Sequence, residues 1–262
     1  MPTTATTTPS RLRLTDVQAL LFDLDGVLTR TATLHAAAWK RLFDEYLAAR
    51  GQWTGEQVVP FDQVSDYRRY VDGKPRYDGV ASFLASRGVT LPWGSAADPP
   101  DRETVAGLGN RKDRYFDEAL GRHGVETFPE AVALLRKARA RGLKTAVVSS
   151  SKNAAAILAA AGIADLFDTC VDGVEAERLH LPGKPAPDTF LEAARRLHVH
   201  PDHAVVFEDA ISGVEAGRRG GFKVVGVDES GRADALREHG ADLVVSHLGE
   251  VAEHWPDLKS WP

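Results

Sequence analysis

Cysteine is almost missing from this chain: Cys170 stands alone among 262 residues. No internal disulfide can form, which excludes a disulfide-stapled fold and suits a reducing cytoplasm. No apolar run approaches the ~20 residues that span a bilayer, so no membrane partner is expected. Blocks of like charge are absent as well, and a net charge of −5 offers no general surface for nucleic acid. Tyr67-Arg68-Arg69-Tyr70 has the residue types of a base-stacking patch, but it is short and isolated on an acidic chain. Residues 1–13 begin as a Thr/Pro/Ala tract without the apolar core of a signal peptide, and are read as a disordered lead-in. The expectation is a cytoplasmic monomer.

What is present begins with 43% hydrophobic residues, enough for a substantial core. Ala19 to Phe22 is an apolar run without alternation, the pattern of a parallel strand buried on both faces. It leads into Asp23-Leu24-Asp25-Gly26-Val27-Leu28-Thr29. Thr31 to Ala49 has helical spacing, with Thr31 or Thr33 as a candidate cap. Residues 51–101 are broken by glycine and proline around a helix at Tyr77 to Arg87, and a further helix spans Glu103 to Arg122. From Pro129 onward strands and helices alternate: strands at Lys144–Val148, Phe167–Val171, Ala204–Phe207, Lys223–Val227 and Asp242–Val245 are separated by helical stretches. That order implies right-handed crossovers and a parallel sheet. The fold class expected is α/β: a Rossmann-like core (residues 14–30 and 126–262) with a helical cap, residues 31–125, inserted after the first strand.

Three strands end in polar residues: Asp23 and Asp25, Ser149-Ser150-Ser151, and Glu208-Asp209. The carboxyl ends of parallel strands share one edge, so these groups can meet. Two carboxylates at a strand tip repel unless a cation or proton lies between them. Mg²⁺ suits a few carboxylates that leave room for water and substrate phosphate. Lys184, in Gly183-Lys184-Pro185, and Ser149 supply charge and a donor for anionic oxygens. Each piece also has a bland reading: a serine after a strand caps a helix, Lys184 is solvated, and Glu208-Asp209 favours a helix start.

In this order, Asp23-x-Asp25-Gly-Val-x-Thr, Ser149, Lys184 and Glu208-Asp209 resemble the four motifs of the haloacid dehalogenase superfamily over the whole chain. The resemblance implies a catalytic set of Asp23, Asp25, Ser149 and Lys184. Asp23 would be the nucleophile that becomes phosphorylated, Asp25 the general acid and base, and Ser149 with Lys184 the phosphoryl ligands. It implies Mg²⁺ held by Asp23, the backbone carbonyl of Asp25, Glu208 and Asp209. The second acid, Asp25, favours phosphoryl transfer at oxygen over dehalogenation, since an alkoxide leaving group needs a proton.

The cap position resembles the β-phosphoglucomutase-like branch, whose substrates are small phosphorylated sugars. Thr31, His35 and Trp39 lie one helical turn apart on one face. Val71-Asp72-Gly73-Lys74-Pro75-Arg76 resembles the branch's specificity loop, which puts Gly73 and Arg76 at the substrate. Arg111, Lys152 and Asn153 complete the implied substrate set. The chain departs from the branch at Arg30, where an acid is usual between two threonines, and in a longer cap around Gln52–Ser65 and Leu91–Pro100. Two acceptors for the phosphoryl group therefore remain open, a sugar hydroxyl in a mutase or water in a phosphatase, beside a non-catalytic sensor on the same fold.

Overall fold

The computed structural model describes residues 17–55, 57–229 and 231–253. The expected lead-in at 1–13 lies outside them. The sheet is parallel and six-stranded: β1 (Ala19–Phe22), β2 (Lys144–Val148), β3 (Thr169–Val171), β4 (Ala204–Glu208), β5 (Lys223–Val227) and β6 (Leu243–Val245), in the order β3-β2-β1-β4-β5-β6. β1 is central, buried along its whole length and paired with β2 and β4, so that Phe22 is level with Val147 and Phe207. Successive side chains feed opposite layers. Leu20 and Phe22 join one apolar cluster with Val147 and Phe207, while Ala19 and Leu21 join another with Val148, Val206 and Phe190. The unalternating composition of β1 follows from this burial on both sides. Because β1, β2 and β4 are in register, the residues following them emerge side by side at one edge.

Between β1 and β2 the chain builds α1 (Ala32–Thr54), α2 (Arg76–Ser86), α3 (Val105–His123) and α4 (Pro129–Ala140). Within the cap an aromatic centre forms where Phe43, Phe61 and Phe83 meet, with Phe43 and Phe83 rings 4.0 Å apart and Phe61 and Phe83 rings 5.0 Å apart; it belongs to the same apolar cluster as Leu20 and Phe22 of β1. The added stretches have their own local caps. Asp62 Oδ1 accepts from the Ser65 hydroxyl at 2.9 Å, and Thr104 caps α3 by accepting from Gly107 N–H at 2.9 Å. The two chain crossings between cap and sheet run together, Arg30 N–H donating to the Glu126 carbonyl at 2.8 Å.

Several expectations needed correction. α1 continues past Ala49 to Thr54, tolerating Gly51 inside it, and stops where Gly55 takes a left-handed φ of 70°. Thr31 occupies the N-cap position of α1 but gives it no side-chain hydrogen bond, its Oγ1 turning to Asp25, and Thr33 lies inside the helix with its Oγ1 donating to the Arg30 carbonyl at 3.1 Å. Short helices after β3 and β5, α6 (Gly173–Arg178) and α9 (Ala233–Glu238), and a last one at Gly249–Glu253, have too few turns to show a period in sequence. The other core helices are α5 (Ala154–Ala160), α7 (Asp188–Leu197) and α8 (Ile211–Arg219). No described helix is long and apolar enough to cross a membrane.

Candidate active site

The turn after β1 sets the site. Gly26 N–H donates to the Thr29 carbonyl at 2.8 Å and Leu28 N–H to the Leu24 carbonyl at 3.0 Å. This loop needs glycine at position 26, which has φ +90°, and where a side chain would collide with the Asp209 carboxylate. Asp23, the first residue beyond the strand, is buried, and its N–H donates to the Phe207 carbonyl at 3.0 Å. Lys184 is no solvated loop lysine. It is 3% exposed, and its Nζ lies 2.5 Å from Asp23 Oδ1, 2.6 Å from Glu208 Oε1 and 3.0 Å from the Val148 carbonyl.

Asp23, Glu208 and Asp209 each offer an oxygen within 4.8 Å of the others. Burial pushes the Asp23 carboxyl well above its ordinary value despite Lys184, with Glu208 and Asp25 adding repulsion. Burial and the nearby Asp72 and Glu208 do the same to Asp209. Burial disfavours the charge on Lys184, yet Asp23 and Glu208 outweigh it and hold the ammonium firmly protonated. An all-oxygen, acid-rich donor set of this kind fits a hard divalent cation and not a soft one.

Asp25 has a different environment. Its carboxylate accepts from Thr31 Oγ1 and lies 3.3 Å from His35 Nε2. His35 in turn stacks on Phe116 with ring centres 4.0 Å apart, and its Nδ1 is 2.5 Å from Lys112 Nζ. An ammonium can donate and not accept, so Nδ1 is the accepting nitrogen and the ring proton sits on Nε2, facing Asp25. Burial alone would raise the Asp25 pKa, but His35 and the Thr31 hydroxyl outweigh it and bring it below the usual value. Burial and the Lys112 charge lower His35. Lys112 is pushed down to about 8, chiefly by burial, with Arg76 contributing.

The cavity between cap and sheet is lined by Asp23, Asp25, Ser149, Lys152, Glu208 and Asp209 from below, and by His35, Trp39, Gly73, Arg76 and Lys112 from above. Ser149 is buried and its Oγ accepts from Ser151 N–H at 3.1 Å, so it serves the local turn while facing the cavity. Arg76 is paired with Asp113, and Asn153 Nδ2 donates to the same carboxylate at 3.0 Å. Asn153 therefore bridges core to cap instead of lining the cavity. Lys152 Nζ is 2.6 Å from Glu177 Oε2.

The carboxylates and the buried lysine gather at the strand edge that the four sequence motifs anticipate, with the cap cations above them, and the family model for haloacid dehalogenase-like hydrolases matches residues 17–221. The chain belongs to the haloacid dehalogenase-like hydrolases. A β-phosphoglucomutase of Mycobacterium tuberculosis is 53% identical over 239 residues, covering 90% of this chain and 91% of that protein. The β-phosphoglucomutase of Bacillus subtilis is 32% identical, covering 93% and 97%. In fold, the chain resembles a solved β-phosphoglucomutase structure from Clostridium difficile with a TM-score of 0.74 at 24% identity, covering 93% of this chain and 96% of that one. These relatives place it in the β-phosphoglucomutase-like branch.

Within that branch assignment, one further sequence expectation requires correction. Arg111 does not line the cavity: its Nε donates to the Pro100 carbonyl at 2.6 Å, and it faces a separate hollow beside Tyr46 and Trp53. Arg30 turns away too, pairing with Glu126 at 3.3 Å and Glu229 at 3.4 Å and stacking over Phe128. The haloacid dehalogenase-like motifs also left Lys112 unassigned. Its signal was a lysine on the stripe Leu108, Lys112, Tyr115 and Phe116, the apolar face of α3. Asp72, Asp113 and Tyr67 line the same cavity; Asp72 lies inside the specificity-loop resemblance without a role of its own, and Asp113 has no motif to announce it.

Proposed function

We propose that the protein is a Mg²⁺-dependent phosphotransferase of the β-phosphoglucomutase type, interconverting β-glucose 1-phosphate and glucose 6-phosphate through a phosphoryl group carried on Asp23. One observation carries the reading: two carboxylates one residue apart have opposite surroundings. Asp23 lies among acids and a buried lysine, Asp25 against a threonine and a histidine. That difference separates a nucleophile from a proton carrier. The relatives named β-phosphoglucomutase support the choice of substrate.

In the forward half-reaction, an Asp23 carboxylate oxygen bonds to phosphorus as the bond to a sugar oxygen of the bisphosphate breaks, and Asp25 protonates that oxygen. In the return half-reaction, a sugar hydroxyl attacks the aspartyl-phosphate, its proton passing to Asp25 as the bond from phosphorus to Asp23 breaks. Lys184 and Ser149 hold the phosphoryl oxygens, and Thr31 and His35 orient Asp25. Asp23, Glu208, Asp209 and the Asp25 backbone carbonyl would hold Mg²⁺, which when bound supplies positive charge against the phosphoryl oxygens. Trp39, Gly73 and Arg76 face the sugar, with Lys152 and Arg76 serving the second phosphate. The test is a side-by-side assay of β-glucose 1-phosphate primed with a trace of the 1,6-bisphosphate. Isomerisation should exceed release of free phosphate; phosphate release at an equal or greater rate would sink the reading.

A further inference from the structure

One ion pair and two hydroxyls of the core hold the cap loop at 72–73 at the cavity mouth. We infer that Arg232 is a positioning residue: by pairing with Asp72 it holds the loop at 71–76 down over the phosphoryl site and steers the group toward a sugar hydroxyl and away from water. The inference rests on the phosphotransferase reading above and deepens it.

Arg232 lies between β5 and α9 and serves two elements with one guanidinium. Its Nη1 is 3.3 Å from Asp72 Oδ2 in the cap loop, and its Nη2 donates to the Asp209 backbone carbonyl at 3.2 Å in the core. The side chains are only 15% and 12% exposed, so solvent screens the pair less than it would a surface ion pair. Two hydroxyls hold the neighbouring backbone: Ser212 Oγ donates to the Asp72 carbonyl at 3.0 Å, and Ser150 Oγ to the Gly73 carbonyl at 2.8 Å. The approach is close enough that Gly73, at φ +69°, has no room for a side chain against Ser212. Arg76 follows four residues after Asp72 and lines the cavity, so the position of this loop sets the position of Arg76.

The consequence is chemical. A water oxygen attacking the aspartyl-phosphate releases inorganic phosphate and restores Asp23 with no sugar product; a sugar hydroxyl doing the same gives the isomerised ester. A closed loop excludes the first attacker and retains the second. Releasing the Asp72–Arg232 pair shifts the loop toward open and raises the share lost to water.

The test compares Arg232→Ala, Asp72→Ala, the double variant and Arg232→Lys with the wild type, using two readouts. Hydrogen exchange at amides 71–79 should quicken about fivefold in each alanine variant, the scale of a partly screened ion pair. Free phosphate released per isomerisation should rise by about the same factor in each single variant and no further in the double variant. Arg232→Lys should recover part of both. Unchanged exchange and an unchanged ratio in the single variants, or independent multiplying effects in the double, overturn the inference. If the wild type isomerises nothing, the phosphotransferase reading fails by itself. The exchange arm then decides the latch: faster exchange in Arg232→Ala supports it and unchanged exchange refutes it.

Discussion

Lys112 sits on the cap side of the cavity, on the far side of the His35 ring from Asp25. Its ammonium fixes which nitrogen of His35 faces Asp25, and it lies 5.1 Å from the Trp39 ring centre and 5.0 Å from that of Phe116. Burial first, helped by Arg76, brings its pKa to about 8, so it is charged below that pH and loses the charge above it. The expected profile of kcat therefore has an alkaline limb near pH 8. Lys112→Met should remove that limb and lower kcat by roughly 10- to 100-fold, short of the full effect of removing a general acid–base group. A limb that persists in Lys112→Met contradicts this role. Sequence pointed to the wrong neighbour here. Motif resemblance favours Arg111, but the helical stripe through Leu108 and Phe116 turns Lys112 inward and Arg111 outward. Asp23, Lys184 and Glu208 were legible because they follow strands or precede a helix in fixed order. Asp113 has no such marker, and Asp72 lies in the specificity-loop resemblance with only Gly73 and Arg76 given a role.

Elements differ in how plainly they show in sequence, and burial explains the difference. β2 and β5 fall where their apolar runs place them, because after the lysine that opens each one the strand is buried throughout and does not alternate. α6 and α9 are six residues each, below the length at which a 3.6-residue period can be recognised. In the cap, apolar spacing such as Leu34, Ala38 and Leu42 indicated helices but not the shared centre at which Phe43, Phe61 and Phe83 meet. Phe83 is fully buried, so Phe83→Ala should cost about 3–5 kcal/mol of stability from lost transfer energy and the cavity left behind. Denaturant unfolding followed by cap and core probes checks this. A loss below about 1 kcal/mol would mean the cap collapses around the gap.

Taken whole, the molecule joins distant residues at one sheet edge and closes a helical lid over them. The parallel order was legible from the alternation of strands and helices. The closure was not, since Asp72 and Arg232 are 160 residues apart and no periodicity links them. Three acids converging within 4.8 Å repel each other, which makes cation binding and folding stability one equilibrium. Adding Mg²⁺ should raise the unfolding temperature of the wild type by several degrees and leave Asp209→Asn nearly unmoved; an equal rise in both would place the ion elsewhere. The central claim is that Asp23 receives a phosphoryl group and passes it to a sugar. Rapid quenching of the enzyme with labelled 1,6-bisphosphate tests it, with label on Asp23 and in products followed by mass spectrometry. The expected result is label on Asp23, absent in Asp23→Asn, that moves to added glucose 1-phosphate faster than it appears as free phosphate. Label that never rests on Asp23, or that leaves for water at the same rate with or without the sugar phosphate, would contradict it.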